Sequence, residues 1–341
     1  MTGATRPYPL SGISLNEGAL AIVRRMIAAA EALGLDVTTY PNGAMLVDAG
    51  VRATGSLEAG RLFSEACMGG LGQVSFCELE FDGLRLPGVQ VVASQPPLAC
   101  VAAQLAGWPV EWEDAAGQHR AMGSGPARAL RGEERVFKQL AYPEKGVRLG
   151  SAYHDSADVA VLMLEGEQLP PLEVAADVAS RCGVSQQSVY LLVASIASLV
   201  GAVQVSARMV EAALHKMMTV GFDIRTVFSA YGTCPLAPLS PDPLRAMGLA
   251  NDAVLYGGRV WLTVHTEDAQ VESVLDQLPS SASRDYGASF HDLFVHYEHD
   301  FYKMDPALFS VAEIHINNAQ SGRTFRAGQV SGSLVRRMLS P

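Results

Sequence analysis

Arg208, Glu211 and His215 stand three and four positions apart within Tyr190 to Met218, a stretch of apolar and small residues in which Arg208, Glu211 and Lys216 are the only charged side chains. On a helix of 3.6 residues per turn those three side chains project from one face and can touch. The other faces carry Val203, Val205, Met209, Val210, Ala212, Ala213 and Leu214, and a helix apolar nearly all round is a buried one. An exposed helix ion pair contributes only about 0.2–0.5 kcal/mol, and Arg before Glu is its weaker order. A buried pair is rarely kept for stability alone. The pattern points to a functional carboxylate tuned by its arginine. His215 reads as packing, or at most as support for the pair.

Other constellations carry less. His291, His296 and His299, with Asp292, Glu298 and Asp300, form the densest group of possible metal ligands. Metal-assisted hydrolysis needs three such groups converging around an open position, but this spacing lacks the i, i+4 geometry of HExxH. A polar surface segment fits it better. In Gly123-Ser124-Gly125-Pro126-Ala127-Arg128, glycines precede a helix with Pro in its first turn, which aims backbone N–H groups outward. Arg128 stands where a dinucleotide fingerprint needs glycine, and no Gly-Lys-Ser/Thr follows as in a P-loop. Met68-Gly69-Gly70-Leu71-Gly72 permits close backbone approach to a ligand, although a helix end followed by a bend explains it as well. No Gly-x-Ser-x-Gly elbow occurs.

The elements that must position these residues belong to an α/β protein. Of 341 residues, 49% are hydrophobic and 18% charged, which favours a large buried core over disorder. A formal net charge of −10 with scattered Lys and Arg excludes a nucleic-acid footprint and disfavours anionic membranes. Five cysteines without a CxxC pair point to reduced thiols. Neither an apolar signal core nor a run of about 20 apolar residues is present, so the expected location is the cytoplasm.

In chain order, Ser14 to Glu17 reads as a capping box opening a helix to Leu33, ended by Gly34. A hairpin turns at Pro41-Asn42-Gly43, a helix covers Leu57 to Cys67, and strands run from Gln73 to Phe81 and Val89 to Ala93. Pro96-Pro97 opens a short helix ending near Gly107-Trp108. From Asp158 the order is strand, helix, strand, central helix, an α/β unit with buried strands. After Gly221 come a Pro-rich connection from Thr233 to Pro243, a short helix, a hairpin-like pair around Tyr256-Gly257-Gly258, a helix from Glu267 to Leu278, and a strand from Val311 to Ile316. The weakest point is near Glu144 to Ser156. It divides the chain into an N-terminal α/β lobe, 1–150, and a C-terminal α/β lobe, 151–341, with exchange of segments between the lobes allowed.

Six segments together resemble one family: CMGGLG (Cys67 to Gly72), AMGSGPARAL (Ala121 to Leu130), DSADVAVLMLE (Asp155 to Glu165), SVYLLVASIASLVGAVQVSARMVE (Ser188 to Glu211), SRDYG (Ser283 to Gly287) and DFYKMDPALF (Asp300 to Phe309). The set is similar to methenyl-tetrahydromethanopterin cyclohydrolase, in order along nearly the whole chain. The resemblance implies a two-lobed α/β subunit with the active-site cleft between the lobes, a homotrimer, no metal and no cofactor beyond the pterin that carries the substrate. It implies reversible hydrolysis of a cationic methenyl ring to a formyl group in one-carbon metabolism, known from archaea and from bacteria that oxidise one-carbon compounds. In the family an essential glutamate follows an arginine by three positions, which matches Glu211 and Arg208. On that resemblance Glu211 is expected to act as general base and then acid, with Arg208 orienting it and holding it ionised against the upward push of burial. Gly69, Gly70, Ser124, Gly125 and Arg128 lie in matching segments as candidate contacts to the pterin. The chain departs from archaeal members at Leu105, where they carry lysine. Two alternatives stand beside this reading: a metal-dependent amidohydrolase using His291, His296 and His299, and a non-catalytic pterin-binding paralogue.

Overall fold

The computed structural model describes residues 12–130, 153–301 and 303–339. The fold is mixed α/β, built on two six-stranded sheets. The first contains β1 (Asp36–Thr39), β2 (Met45–Asp48), β5 (Trp108–Asp114), β6 (Gly117–Ser124), β7 (Ala160–Glu165) and β8 (Val189–Ala194), in the order β1-β2-β8-β7-β6-β5. The second contains β3 (Gly72–Phe81), β4 (Leu84–Ala93), β9 (Val227–Pro235), β10 (Arg259–Val264), β11 (Glu313–Asn318) and β12 (Thr324–Gly328), in the order β12-β11-β10-β9-β4-β3. Strands from both sides of residue 150 enter the first sheet, and β3 and β4 join later strands in the second. The expected lobe boundary itself lies outside the described residues. Among the described residues no helix is long and apolar enough to cross a membrane.

In the first sheet β2, β8 and β7 run parallel, with antiparallel strands at both edges. A parallel strand covered on both faces must be apolar at every position, and the run AVLML of β7 is buried throughout. Its side chains alternate between two cores. Val161 and Met163 pack with Ile22, Val23, Leu62 and Phe63 of helices Leu15–Ala28 and Leu57–Cys67. Ala160, Leu162 and Leu164 pack with Val174, Ala175 and Val178 of helix Leu172–Cys182. The second sheet buries Val89, Val91, Val260, Leu262, Ile314 and Ile316 against Val203, Met209, Val210, Ala213 and Leu214. Its other face exposes Val92, Tyr231 and Trp261, which lie side by side in register.

The stretch from Tyr190 to Met218 is three elements: the expected strand, and a central helix that is broken in two. Tyr190 to Ala194 belong to β8, and Ser198 then caps helix Leu199–Ser206 by accepting from Gly201 N at 3.0 Å. A second helix, Met209–Thr219, follows a break at Ala207 and Arg208. The break is stabilised from outside, because the amide of Gln104 donates to the Ala207 carbonyl at 3.3 Å. The helix expected after Pro96-Pro97 is a wide-turned π-type helix, Pro97–Gln104, whose i→i−5 bond from Leu105 N to Cys100 O is 2.9 Å.

Elsewhere the expected elements hold with adjustments. Ser14 caps the first helix, which pauses at Ala29 before Gly34 ends it, and helix Leu57–Cys67 has the expected bounds. The helix read over Glu267 to Leu278 is only Asp268–Glu272 followed by a tight turn. No hairpin forms around Tyr256-Gly257-Gly258. Those residues end a π-type turn, and the glycines serve packing: a Cβ on Gly257 would sit 2.7 Å from Pro235 Cγ, and one on Gly258 2.6 Å from the Val254 carbonyl. The Pro-rich connection begins only after β9, a strand that sequence patterning did not reveal.

Gly201 is required where β8 turns into the helix, since a Cβ there would lie 2.1 Å from the Ser195 carbonyl oxygen and 2.7 Å from Ile196 Cα. Gly201→Ala is therefore expected to destabilise the fold by about 1–3 kcal/mol, the usual range for overpacking, read as a lower urea midpoint at unchanged m-value.

Candidate active site

Arg208 occupies the break between the two helices, with φ −88° and ψ 3°. Three segments distant in sequence or in turn hold its guanidinium. Nε donates to Gln204 Oε1 at 2.9 Å, Nη1 to the Gln104 carbonyl at 2.7 Å, and Nη2 to Ser124 Oγ at 2.9 Å. Glu211, one turn into the second helix, brings Oε2 to 3.6 Å from Nη1. Sequence spacing anticipated this pair, and the helix break does not separate it, because Arg208 supplies the first carbonyl of the helix that carries Glu211.

Glu211 is 9% exposed. Burial pushes its carboxyl above the ordinary glutamate range, while Arg208 and then Arg128 pull it back in part. Arg208 thus acts against burial in the expected direction, and the net shift is upward. Arg128 is buried, and its Nη1 hydrogen-bonds the carbonyl of Leu105. Gly107 makes room for it, since a Cβ there would lie 2.9 Å from Arg128 Nη2. Leu105 turns its own side chain into the core. Cys67 lies 3.5 Å from Ser124 Oγ, and burial raises its thiol and that of Cys100 well above the usual range.

The structure thus joins Arg208, Glu211, Ser124 and Arg128 into one buried cluster. The glycines stand in a different relation to it. Gly69 and Gly70 follow helix Leu57–Cys67 with φ of 65° and 74°, and the Gly69 carbonyl lies so near Gly18 that a Cβ there would be 2.2 Å away. Their backbone packs against the first helix, the use that a helix end and bend implied. Gly125, with φ 106°, donates to the Ala103 carbonyl at 2.8 Å and leaves no room for a side chain beside Met163 Sδ. His215 is half-buried, and burial, then Lys216, lowers its proton affinity. Among the described residues no three His, Cys, Asp or Glu side chains converge as a metal ion would need. His291 pairs instead with Asp292 at 3.2 Å, and Glu298 pairs with Lys303.

Sequence reading missed Gln104, Gln204, Glu165 and Cys67. Gln204 Nε2 donates to Glu165 Oε2 at 2.6 Å, so Arg208 is tied through it to the C-terminal end of β7. Two signals pointed that way. Gln204 stands four residues before Arg208, on the same helical face. Glu165 ends a parallel strand, and the carboxyl ends of such strands are where α/β proteins place their chemistry.

Comparison with known proteins bears on this cluster. The family model described as Cyclohydrolase (MCH) matches residues 14–339. The chain is 43% identical over 331 residues to the methenyltetrahydromethanopterin cyclohydrolase of Methanocaldococcus jannaschii, covering 96% of this chain and 98% of the relative. It is 41% identical to that of Methanothermobacter marburgensis, over 95% and 98% of the two chains, and 40% identical to that of Methylobacterium organophilum, over 97% and 98%.

A carboxyl whose folded proton affinity is raised stabilises the fold fully only below its unfolded pKa, about 4.3, and that contribution is lost as pH rises through the folded value. Glu211→Gln escapes the loss. The variant is expected to be more stable than the wild type at pH 7 by about 0.5–2 kcal/mol, the range of single stabilising changes, with the gap closing below about pH 4 in paired urea titrations.

Proposed function

The chain belongs to the Cyclohydrolase (MCH) family, and on that premise we propose that it opens the cationic ring of methenyl-tetrahydromethanopterin by adding water, reversibly, to give the formyl derivative. The observation that carries the mechanism is a buried glutamate, Glu211, beside an arginine whose guanidinium is held by Gln204, Gln104 and Ser124. The methenyl carbon lies between two nitrogens that share one positive charge, so it is already electrophilic. It requires a water over one face and a group that takes a proton as the bond forms.

Glu211 fills that role in two steps. As the water oxygen bonds to the methenyl carbon, Glu211 accepts one of its protons and a neutral carbinolamine forms. Glu211 then returns this proton to the departing nitrogen. The C–N bond breaks, the carbonyl of the formyl group on N5 forms, and the remaining hydroxyl proton leaves to solvent. The balance is cation plus water to formyl product plus one proton. Burial makes Glu211 a stronger base than an exposed glutamate and a ready acid in the second step. Arg208 orients it.

Arg128, Ser124, Gly125, Gly69 and Gly70 are our candidates for contacts to the pterin, with Arg128 also acting on Glu211 through its charge. The subunit reads as two lobes with the pterin in the cleft between them, assembling as a cytoplasmic homotrimer that needs no cofactor other than the substrate's own pterin. The relative in Methylobacterium fits a place in one-carbon oxidation. Binding without turnover would favour the paralogue reading instead.

The test follows the loss of the cation's ultraviolet absorption with wild type and Glu211→Gln side by side. General acid–base catalysis contributes about 10²–10⁴-fold, so the variant is expected to lose activity on that order while still binding product. Equal rates would remove Glu211 from the chemistry.

A further inference from the structure

We infer that Glu165 and Gln204 are positioning residues for the reaction: Glu165 fixes the amide of Gln204, Gln204 fixes Arg208, and the two carboxylates Glu165 and Glu211 share the charge of that one arginine. The inference rests on the assignment of Glu211 as the acid–base group. Its geometry is a chain of directed bonds. Glu165 Oε2 accepts from Gln204 Nε2 at 2.6 Å, and Gln204 Oε1 accepts from Arg208 Nε at 2.9 Å. An amide has one acceptor end and one donor end. A guanidinium on one side and a carboxylate on the other therefore leave Gln204 a single orientation. With Nε so occupied and Nη2 on Ser124, the edge bearing Nη1 is the one presented to Glu211 and the Gln104 carbonyl.

The chain spans three elements. Glu165 ends β7, Gln204 lies in the helix before the break, and Glu211 lies in the helix after it. The groups facing the two carboxylates can be named. Around Glu211 they are Arg208, Arg128, Cys67 and Cys100. Around Glu165 they are Arg208, Gln204 and Glu167, the last engaged with the Ser195 hydroxyl at 2.7 and 2.8 Å. Arg208 is the cation that faces both. A negative charge at Glu165 draws on the field that would otherwise favour ionised Glu211, and so keeps Glu211 a stronger base. Burial raises Glu165 as well, and Arg208 and Gln204 act against that rise.

The test compares wild type, Glu165→Gln, Gln204→Leu, Gln204→Glu and Glu211→Gln in pH–rate profiles of kcat and KM. Glu165→Gln keeps an acceptor for Gln204 and removes only charge. More of Arg208's field then favours ionised Glu211, so the acid limb of the kcat profile is expected to move to lower pH with KM nearly unchanged. Gln204→Leu cuts the chain and is expected to lower kcat on the order of 10²-fold, as misplacement of a reacting group does. Gln204→Glu sets two carboxylates face to face, so its activity should be low at neutral pH and recover towards acid pH, where one proton is shared between them. A merely structural role predicts neither the shifted limb nor the acid recovery. If Glu211→Gln is inactive while Glu165→Gln leaves the profile unmoved and Gln204→Leu keeps its kcat, this inference is overturned and Glu211 stands. A rise in KM alone for Glu165→Gln also overturns it, assigning that charge to holding the cationic substrate. Full activity of Glu211→Gln would instead overturn the assignment beneath it.

Discussion

The guanidinium of Arg208 is the point through which the candidate site is held together. It takes its hydrogen-bond acceptors from the π-type helix at Gln104, from the end of β6 at Ser124 and from the preceding helix at Gln204. Glu211 completes its surroundings from the following helix. A planar cation with five donors in a fixed fork can serve several acceptors at once, which a lysine cannot do with the same geometry. The first sheet contributes Ser124 and, through Gln204, Glu165, while Arg208 comes from the break and Glu211 from the helix whose Met209, Val210, Ala213 and Leu214 pack on the second sheet.

Burying this much charge is costly unless it is paired and hydrogen-bonded. Two arginines, Arg128 and Arg208, and two glutamates, Glu165 and Glu211, share the region, so their formal charges balance. Both glutamates nevertheless have raised proton affinity. Burial sets that direction, whereas Glu58, on the surface beside Arg61, is lowered. A raised carboxyl held in position suits the proton transfer proposed for Glu211.

Much of this architecture was legible in the sequence where one local signal dominates. The Ser14 cap, the hairpin at Pro41-Asn42-Gly43, helix Leu57–Cys67 and the apolar run of β7 each follow from capping, turn chemistry or burial. The Arg208 and Glu211 pair was legible for the same reason, as a three-residue spacing in an apolar setting. What escaped depends on partners remote along the chain. β9 carries Ser229, Tyr231 and Gly232 and becomes a strand because β4 and β10 flank it. The break at Ala207 has no Gly or Pro to announce it; its carbonyl is satisfied by Gln104, about a hundred positions away along the chain. Gln204 and Glu165 look like ordinary polar residues until β7 and the helix are set side by side.

The break between helices Leu199–Ser206 and Met209–Thr219 also has a mechanical meaning. Gln204 rides on one rod and Glu211 on the other, while Arg208 sits at the joint and grips both. A tilt of either rod must lengthen one of those two grips, since Gln104 and Ser124 tether the guanidinium from outside. The joint therefore behaves as a tie-rod in a truss: it carries tension between two struts, and the alignment of the Glu211 carboxylate is set by how squarely those struts meet.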